Sequence, residues 1–515
     1  MNLMRSIATV GGFTMASRVL GFARDILLAS LMGAGFVSDC FFVAFKLPNF
    51  FRRLFAEGAF SAAFVPLLGE RLEKDGEAAA KRFVDDAFAV LLAALLALLA
   101  VMQIVMPWAM IVLAPGFSDD PPKFDLAVTL TRITFPYLLL ISLVSLLGGV
   151  LNSLGRFAAV AGTPILLNLS MIGCLWLLRP VLPTAGHAAA IGVTLGGVLQ
   201  LLWLAIECRR LGVAPRLRLP RLSVDVKLLL KRMAPGVIGA GAVQINLMVD
   251  VILASLLPSG ALSFLFYADR LNQLPLGVIG IAVGTAILPL LSRQLAAGSV
   301  EAAMANHNRA VEVALLLTLP AAAALIAVPG PLIAGLFQRG AFTAADTMAT
   351  AWTLMAFASG LPAYVLIKVL VPGFYARGNT RTPVRFSMIA LACNFGLNLA
   401  LMIPLQHVGL ALATAIAAWV NALLLLTRLM RDGQFVCDAR LKRRLPRIIA
   451  ASVLTGGGLY AAARLLGPVL GGDGGGRVAL TACLVGLGLA LFAGLGRALG
   501  AYAPSDLGRL MRRGG

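Results

Sequence analysis

Fourteen apolar segments divide this 515-residue chain, centred near residues 20, 52, 97, 138, 168, 195, 242, 277, 322, 358, 392, 417, 455 and 486. A helix needs about 20 mostly apolar residues to cross a bilayer, and these segments supply that length. With 60% hydrophobic and only 13% charged residues, the chain lacks the polar surface of a water-soluble globule of this size. The expected fold is therefore an all-α polytopic membrane protein with 14 transmembrane helices. Several segments run past about 25 residues, which predicts tilt or extension beyond the bilayer. Pro48 and Pro136 fall inside the second and fourth segments and predict kinks there. The first segment reads as a retained helix, since no small-residue cleavage site follows a short apolar core.

A net charge of +20 would suggest nucleic-acid binding in a soluble chain. Here it follows the distribution expected of cytoplasmic loops. With the N-terminus inside, thirty of the 43 Lys and Arg residues fall in inner loops and tails, and five in outer ones: Lys123, Arg179, Arg339, Arg464 and Arg477. That asymmetry places both termini in the cytoplasm and removes nucleic acid as a partner. The six cysteines form no C-x-x-C pair, so no disulfide framework, metal site or cofactor is expected.

The remaining eight cations lie inside the segments: Arg18, Arg24, Lys46, Arg52, Arg53, Arg132, Arg270 and Lys368. Nearby acids number five: Asp25, Asp39, Glu57, Asp250 and Asp269. A charge at mid-bilayer costs roughly 2.5–3.5 kcal/mol on insertion scales. Structural ion pairing, with some snorkelling to an interface, is one account, and for Arg132 and Lys368 it stays open beside a functional one. It does not suffice for Arg18, Arg24, Arg52 and Arg270, because cations outnumber anions. A water-filled cationic cavity for an anionic substrate fits better, and the planar, permanently charged Arg fork suits phosphate. Arg18 and Asp25, seven residues apart, share a helix face. Gly11, Gly12 and Gly21 interrupt the same helix, for bending or for close helix packing.

The chain also repeats. DILLASL (25–31) returns as DVILASL (250–256), FVPLLGERL (64–72) as ILPLLSRQL (287–295), and Phe135-Pro136 as Leu361-Pro362. Six segments separate equivalents, so the copies have the same orientation. They form two parallel six-helix lobes, residues 1–222 and 223–435, with a site expected between them. Residues 436–515 hold two further segments, rich in small residues (GGGLYAAARLLG, GLGLALFAGLG), which suit a packing pair or a groove for an apolar tail.

The stretches SRVLGFARD (17–25), SDCFFVAFKLPNFFRRLFAEGAFSAAFVPLL (38–68), FYADRL (266–271) and IKVLVPGFYARGNTRTPV (367–384) resemble the MurJ (MviN) family of lipid II flippases, within the multidrug/oligosaccharidyl-lipid/polysaccharide exporter superfamily. The resemblance covers essentially the whole chain. It implies that the chain flips lipid II, an undecaprenyl-diphosphate-linked precursor of peptidoglycan, to the periplasmic leaflet of the bacterial inner membrane by alternating access. It also implies substrate-binding Arg18, Arg24, Arg52 and Arg270, with Asp25, Asp39, Lys46, Arg53, Asp269 and Lys368 as supporting charges. The C-terminal pair would form the groove for the polyprenyl tail. Membrane lipids are the other implied partners, and coupling would be to the membrane potential or a cation. A flippase for another polyprenyl-diphosphate oligosaccharide, such as O-antigen, is the nearest alternative. A cationic-drug antiporter would need an acidic or aromatic cavity. An enzyme acting on lipid-linked sugars would need catalytic acids or bases on sizeable loops, and the outer loops here are short.

Overall fold

The computed structural model describes residues 3–53 and 60–503. Glu57 and the tail cations Arg509, Arg512 and Arg513 lie outside the described residues. Among the described residues there is no strand, and the chain is an all-α multi-pass membrane protein. The helices are α1 (Leu3–Met32), α2 (Phe36–Phe51), α3 (Ser61–Leu113), α4 (Pro121–Thr134), α5 (Pro136–Ser153), α6 (Phe157–Leu177), α7 (Ala185–Arg210) and α8 (Val224–Ser255). They continue with α9 (Ala261–Ala296), α10 (Val300–Ala327), α11 (Pro329–Phe337), α12 (Ala344–Ser359), α13 (Leu361–Tyr375), α14 (Arg381–Arg431), α15 (Ala439–Leu470) and α16 (Gly474–Ala498).

Each of the fourteen segment centres falls in helix. Among the described residues, nine stretches are long and apolar enough to cross a membrane. They do not include α1, α2, α8 or α9, the helices that carry most of the intramembrane charge. Two of the nine are folded back on themselves. In α3 the backbone leaves helical geometry at Gly76, with φ 79°, and the rings of Phe64 and Phe83 stack with centroids 5.4 Å apart. Nineteen residues of straight helix would separate them by about 28 Å, so α3 is a hairpin. In α14 the break is at Gln406, with φ 48°, and Asn394 Nδ2 donates to Thr414 Oγ1 at 3.3 Å across it. A Cβ on Gly409 would meet the Leu401 carbonyl oxygen at 2.3 Å, so only glycine fits that reversal.

By contacts the chain divides into Met1–Ser263 and Phe264–Gly515. In the first unit α6 packs against α1 and α7, α5 against α3 and α7, and α2 against α4. The α6–α7 approach depends on glycines of α7: a Cβ on Gly192 would lie 2.8 Å from Met171 Cα, and one on Gly196 3.0 Å from Leu167 Cα. Small residues at such crossings let backbones close without a hydrophobic drive between helices, which lipid does not supply. In the second unit, α10, α13 and α14 enclose a core of Val311, Leu315, Leu366, Val369, Phe374 and Leu425. There α15 packs on α10 and on α16.

The matched dipeptides of the repeat break their helices in the same way. Pro136 opens α5 after α4 stops at Thr134, and Leu361-Pro362 opens α13 after α12 stops at Ser359. Proline lacks the amide that would continue the preceding helix, and its fixed φ suits a first turn. Pro48, in contrast, sits inside an unbroken α2.

Gly192→Leu forces backbone apart at the α6–α7 crossing and should lower stability by about 1–3 kcal/mol, read as a lower melting temperature of the detergent-purified protein. Gly173→Leu, on α6 where no atom lies within 4 Å of an added Cβ, should leave it unchanged. Equal effects would show that the crossing does not depend on the missing side chain.

Candidate functional site

Asp39, in the first turn of α2, is 1% exposed. Its Oδ2 accepts from Lys123 Nζ at 3.2 Å and from the Gly260 amide at 2.7 Å. Its Oδ1 accepts from the Ser263 amide at 3.0 Å and the Ser263 hydroxyl at 2.6 Å. Ser263 Oγ also lies 2.8 Å from Ser38 Oγ, and Lys123 Nζ donates to Ser259 Oγ at 2.7 Å. The ammonium sits over the Phe117 ring, 4.3 Å from its centroid. Close by, Gly116 is pressed on the end of α8, where an added Cβ would come within 2.2 Å of the Ser255 carbonyl oxygen. A buried charge is tolerated only when paired and hydrogen-bonded, and both conditions hold here. The knot fastens the start of α2 and α4 to the α8–α9 turn.

The sequence places Lys123 among the outer-loop charges. It is instead buried, 5% exposed, in the first turn of α4, which Asp120 caps by accepting from the Lys123 amide at 3.3 Å. Asp39 has no cation within a helical turn of it in sequence, which was the one signal that a distant partner must exist.

Arg24 and Asp25 are buried on α1. Arg24 Nε and Nη2 donate to Asp25 Oδ1 at 3.0 and 2.6 Å, and Nη1 donates to Asn168 Oδ1 on α6 at 3.0 Å. Asn168 Nδ2 in turn donates to the Ser17 carbonyl at 3.1 Å. Gly21 makes room: a Cβ there would already touch Asn168 at 3.6 Å. Arg24 is thus a paired arginine in this conformation, whereas the excess of cations in the sequence predicts one that pairing alone does not satisfy. The reason is that Asn168, a neutral acceptor invisible to charge counting, completes its fork.

Arg18, 4 residues and one turn before Phe22 on the same helix, is exposed and lines a cavity of about 420 Å³. Thr14, Ser17 and Asn152 give that cavity its other polar groups, and Phe157 and Val160 an apolar wall. Arg18 and Asp25, placed on one face by spacing, therefore differ in surroundings, one open and one buried. Arg52 Nε donates to Asn49 Oδ1 at 3.1 Å at the end of α2, about 20 Å along the helix from Asp39. Lys46 and Arg53 are exposed.

In the second unit Asp269 accepts from Gln273, and the Arg270 guanidinium lies over the Phe266 ring, 4.9 Å from its centroid. Lys368 is exposed on α13. A further charge cluster joins α10 to the start of α15: buried Glu312 binds Arg309, Arg440 at 3.2 Å and Arg444 at 2.6 Å, and Asp438 binds Arg309 and caps α15. Counting placed these arginines in inner loops, without the acid that collects them.

A protein-family profile described as "Lipid II flippase MurJ" matches residues 28–468. The chain is 44% identical over 479 residues to a probable lipid II flippase MurJ of Rhizobium tropici, covering 92% of this chain and 89% of that one. It is 37% identical to the lipid II flippase MurJ of Burkholderia cenocepacia over 462 residues, 89% of each chain. This chain belongs to the lipid II flippase MurJ family. A solved MurJ structure in an inward closed conformation superposes with a TM-score of 0.77 at 24% identity, covering 94% of this chain and 97% of that one. An inward-facing multidrug-resistance transporter of the MOP superfamily superposes at 0.66 and 17% identity, over 83% and 98% of the two chains. Both likenesses are likenesses of fold. Membership of the MurJ family makes this multi-pass protein a transporter by class.

Lys123→Met should cost about 3–5 kcal/mol of stability, because it strands a buried carboxylate. Adding Asp39→Asn should recover part of that loss by removing the stranded charge. Thermal unfolding of the unsubstituted protein and the two variants reads both effects. A neutral Lys123→Met would mean that the ion pair is screened by solvent.

Proposed function

We propose that the protein moves lipid II from the cytoplasmic to the periplasmic leaflet of the bacterial inner membrane by alternating access. In this reading the chain crosses the membrane fourteen times, both termini are cytoplasmic, and residues 1–222 and 223–435 are the two moving lobes. The orientation rests on the excess of inner-loop cations, thirty against four once the buried Lys123 is set aside. The substrate class rests on family membership and on the names of the relatives.

One observation carries the mechanism: the two ends of the first unit differ in access. At the Asp39 end every polar group of the carboxylate is buried and bonded. Toward the opposite end of α1, about 20 Å away along the helix, Arg18 lines an open cavity. A carrier open to one side has this form, with the Asp39 knot as the outer gate. Arg18, Arg24, Arg52 and Arg270 receive the diphosphate, and Asp25, Lys46, Arg53, Asp269 and Lys368 tune the surrounding charge. Arg24 already holds an oxygen anion from two nitrogens of its fork, the Asp25 carboxylate. A diphosphate oxygen would replace that partner, which only a fork of fixed geometry can offer.

The polyprenyl tail stays in lipid and follows residues 436–515. Val453, Leu465 and Val469 of α15 and Leu489 of α16 are exposed apolar side chains suited to it. Each CH₂ kept from water is worth about 0.8 kcal/mol, so the tail needs an apolar path throughout. Energy comes from the membrane potential or a cation.

Arg18→Ala, Arg52→Ala and Arg270→Ala, reconstituted in liposomes with fluorescent lipid II, should each lower flipping at least tenfold with normal membrane insertion. This corresponds to losing about 1.4 kcal/mol or more of charge-assisted bonding. Normal flipping by all three would remove the diphosphate site, and loss of the protein from the membrane would make these residues structural.

A further inference from the structure

The connection between α7 and α8 plays no part in the transport reading. Beyond the turn at Gly212, residues 213–223 run without regular structure through the sequence VAPRLRLPRLS. Leu217, Leu219 and Leu222 are 78%, 80% and 59% exposed, and Val224 follows at 78%. Apolar side chains exposed along a span face acyl chains. These four lie beyond the end of α7, where water would be the alternative, and a cluster of this kind marks an interaction surface.

Asp85 on α3, itself 1% exposed, fixes how the segment lies. It accepts from the Arg216 amide at 2.8 Å and forms an ion pair with Arg218, Nε lying 3.3 Å from Oδ2. Arg218 is turned to α3, while Leu217 and Leu219 on either side of it, and Leu222 beyond, are exposed. Depth follows from helix length: the 28 rises from Asp85 to Leu113, all beyond the Gly76 fold, span about 42 Å. That is the thickness of a bilayer including its headgroups, about 40–45 Å, so the Asp85 level is a headgroup level. Charge fits the same place. Residues 207–232 hold eight cations (Arg209 to Arg232) and two acids, Glu207 and Asp225.

We propose that residues 216–224 are a membrane-surface anchor. Leu217, Leu219 and Leu222 seat at the boundary of headgroups and acyl chains, and Arg216, Arg221 and the Arg209-Arg210 pair meet the phosphates of anionic phospholipids. The joint between α7 and α8 is thereby held to one leaflet. The occupant is lipid and not a protein, because the apolar and basic groups alternate at headgroup depth. The anchor holds whichever leaflet it faces, and so stands apart from the proposed orientation.

Pulse-labelled hydrogen exchange of the purified full-length protein in nanodiscs tests it, with phosphatidylcholine alone against phosphatidylcholine with phosphatidylglycerol. The amides of residues 214–223 should exchange about fivefold more slowly in the anionic discs, as expected for cations near a charged surface. High salt should reduce the difference, and Leu217→Ser/Leu219→Ser/Leu222→Ser should abolish it. Equal exchange in the two lipids overturns the proposal. So does slowing that survives the triple substitution, and fast exchange in both discs would assign the leucines to a protein partner.

Discussion

A carboxylate buried among helices in an apolar medium sets strict terms, and Asp39 meets them with four bonds from three separate segments: α4, the α8–α9 turn and the first turn of α9. Taken out of water without those bonds, the charge would cost several kcal/mol. The segments therefore arrive together or the carboxylate is stranded. Such an arrangement is two-state by construction. It holds firmly when complete and offers little when one donor leaves, which suits a gate that must open as well as close.

Arg24 obeys the same rule by other means. Its charge is met by the adjacent Asp25 and its fork is completed by Asn168, whose own amide is anchored on the α1 backbone. Gly21 permits that approach, as Gly192 and Gly196 permit the approach of α7 to α6. At the α6–α7 crossing the close backbone contact also carries a buried polar bond, Ser170 Oγ donating to the Gly192 carbonyl at 2.8 Å. In the proposed cycle the exposed Arg18 meets the substrate first, and Arg24 exchanges a carboxylate for a phosphate oxygen without ever being left without a partner.

Much of this was legible from residue order alone. Apolar length and the proline dipeptides at 135–136 and 361–362 locate helices and their breaks, because both act through local backbone chemistry. The charged stretch of α1 and the acid of α2 stand out, because charge in an apolar segment has few explanations. Partners were not legible. Lys123 looked like a loop cation, although it pairs with an acid 84 residues away, and Asn168 carries no charge to count. The Glu312 cluster was hidden for the same reason: besides neighbouring Arg309, its arginines Arg440 and Arg444 are 128 and 132 residues distant. Loop statistics report which side a cation prefers and say nothing of what it binds.

The central claim is that the Asp39 knot must part during transport. Ser38 and Ser263, whose hydroxyls lie 2.8 Å apart, can be replaced together by cysteine and joined by mild oxidation. Flipping of fluorescent lipid II by the Ser38→Cys/Ser263→Cys protein in liposomes is the direct measurement, with each single substitution as control. The account predicts arrest on oxidation, recovery on reduction, and activity in both single variants. Undiminished flipping with the cross-link intact would show that this end never opens and would contradict it.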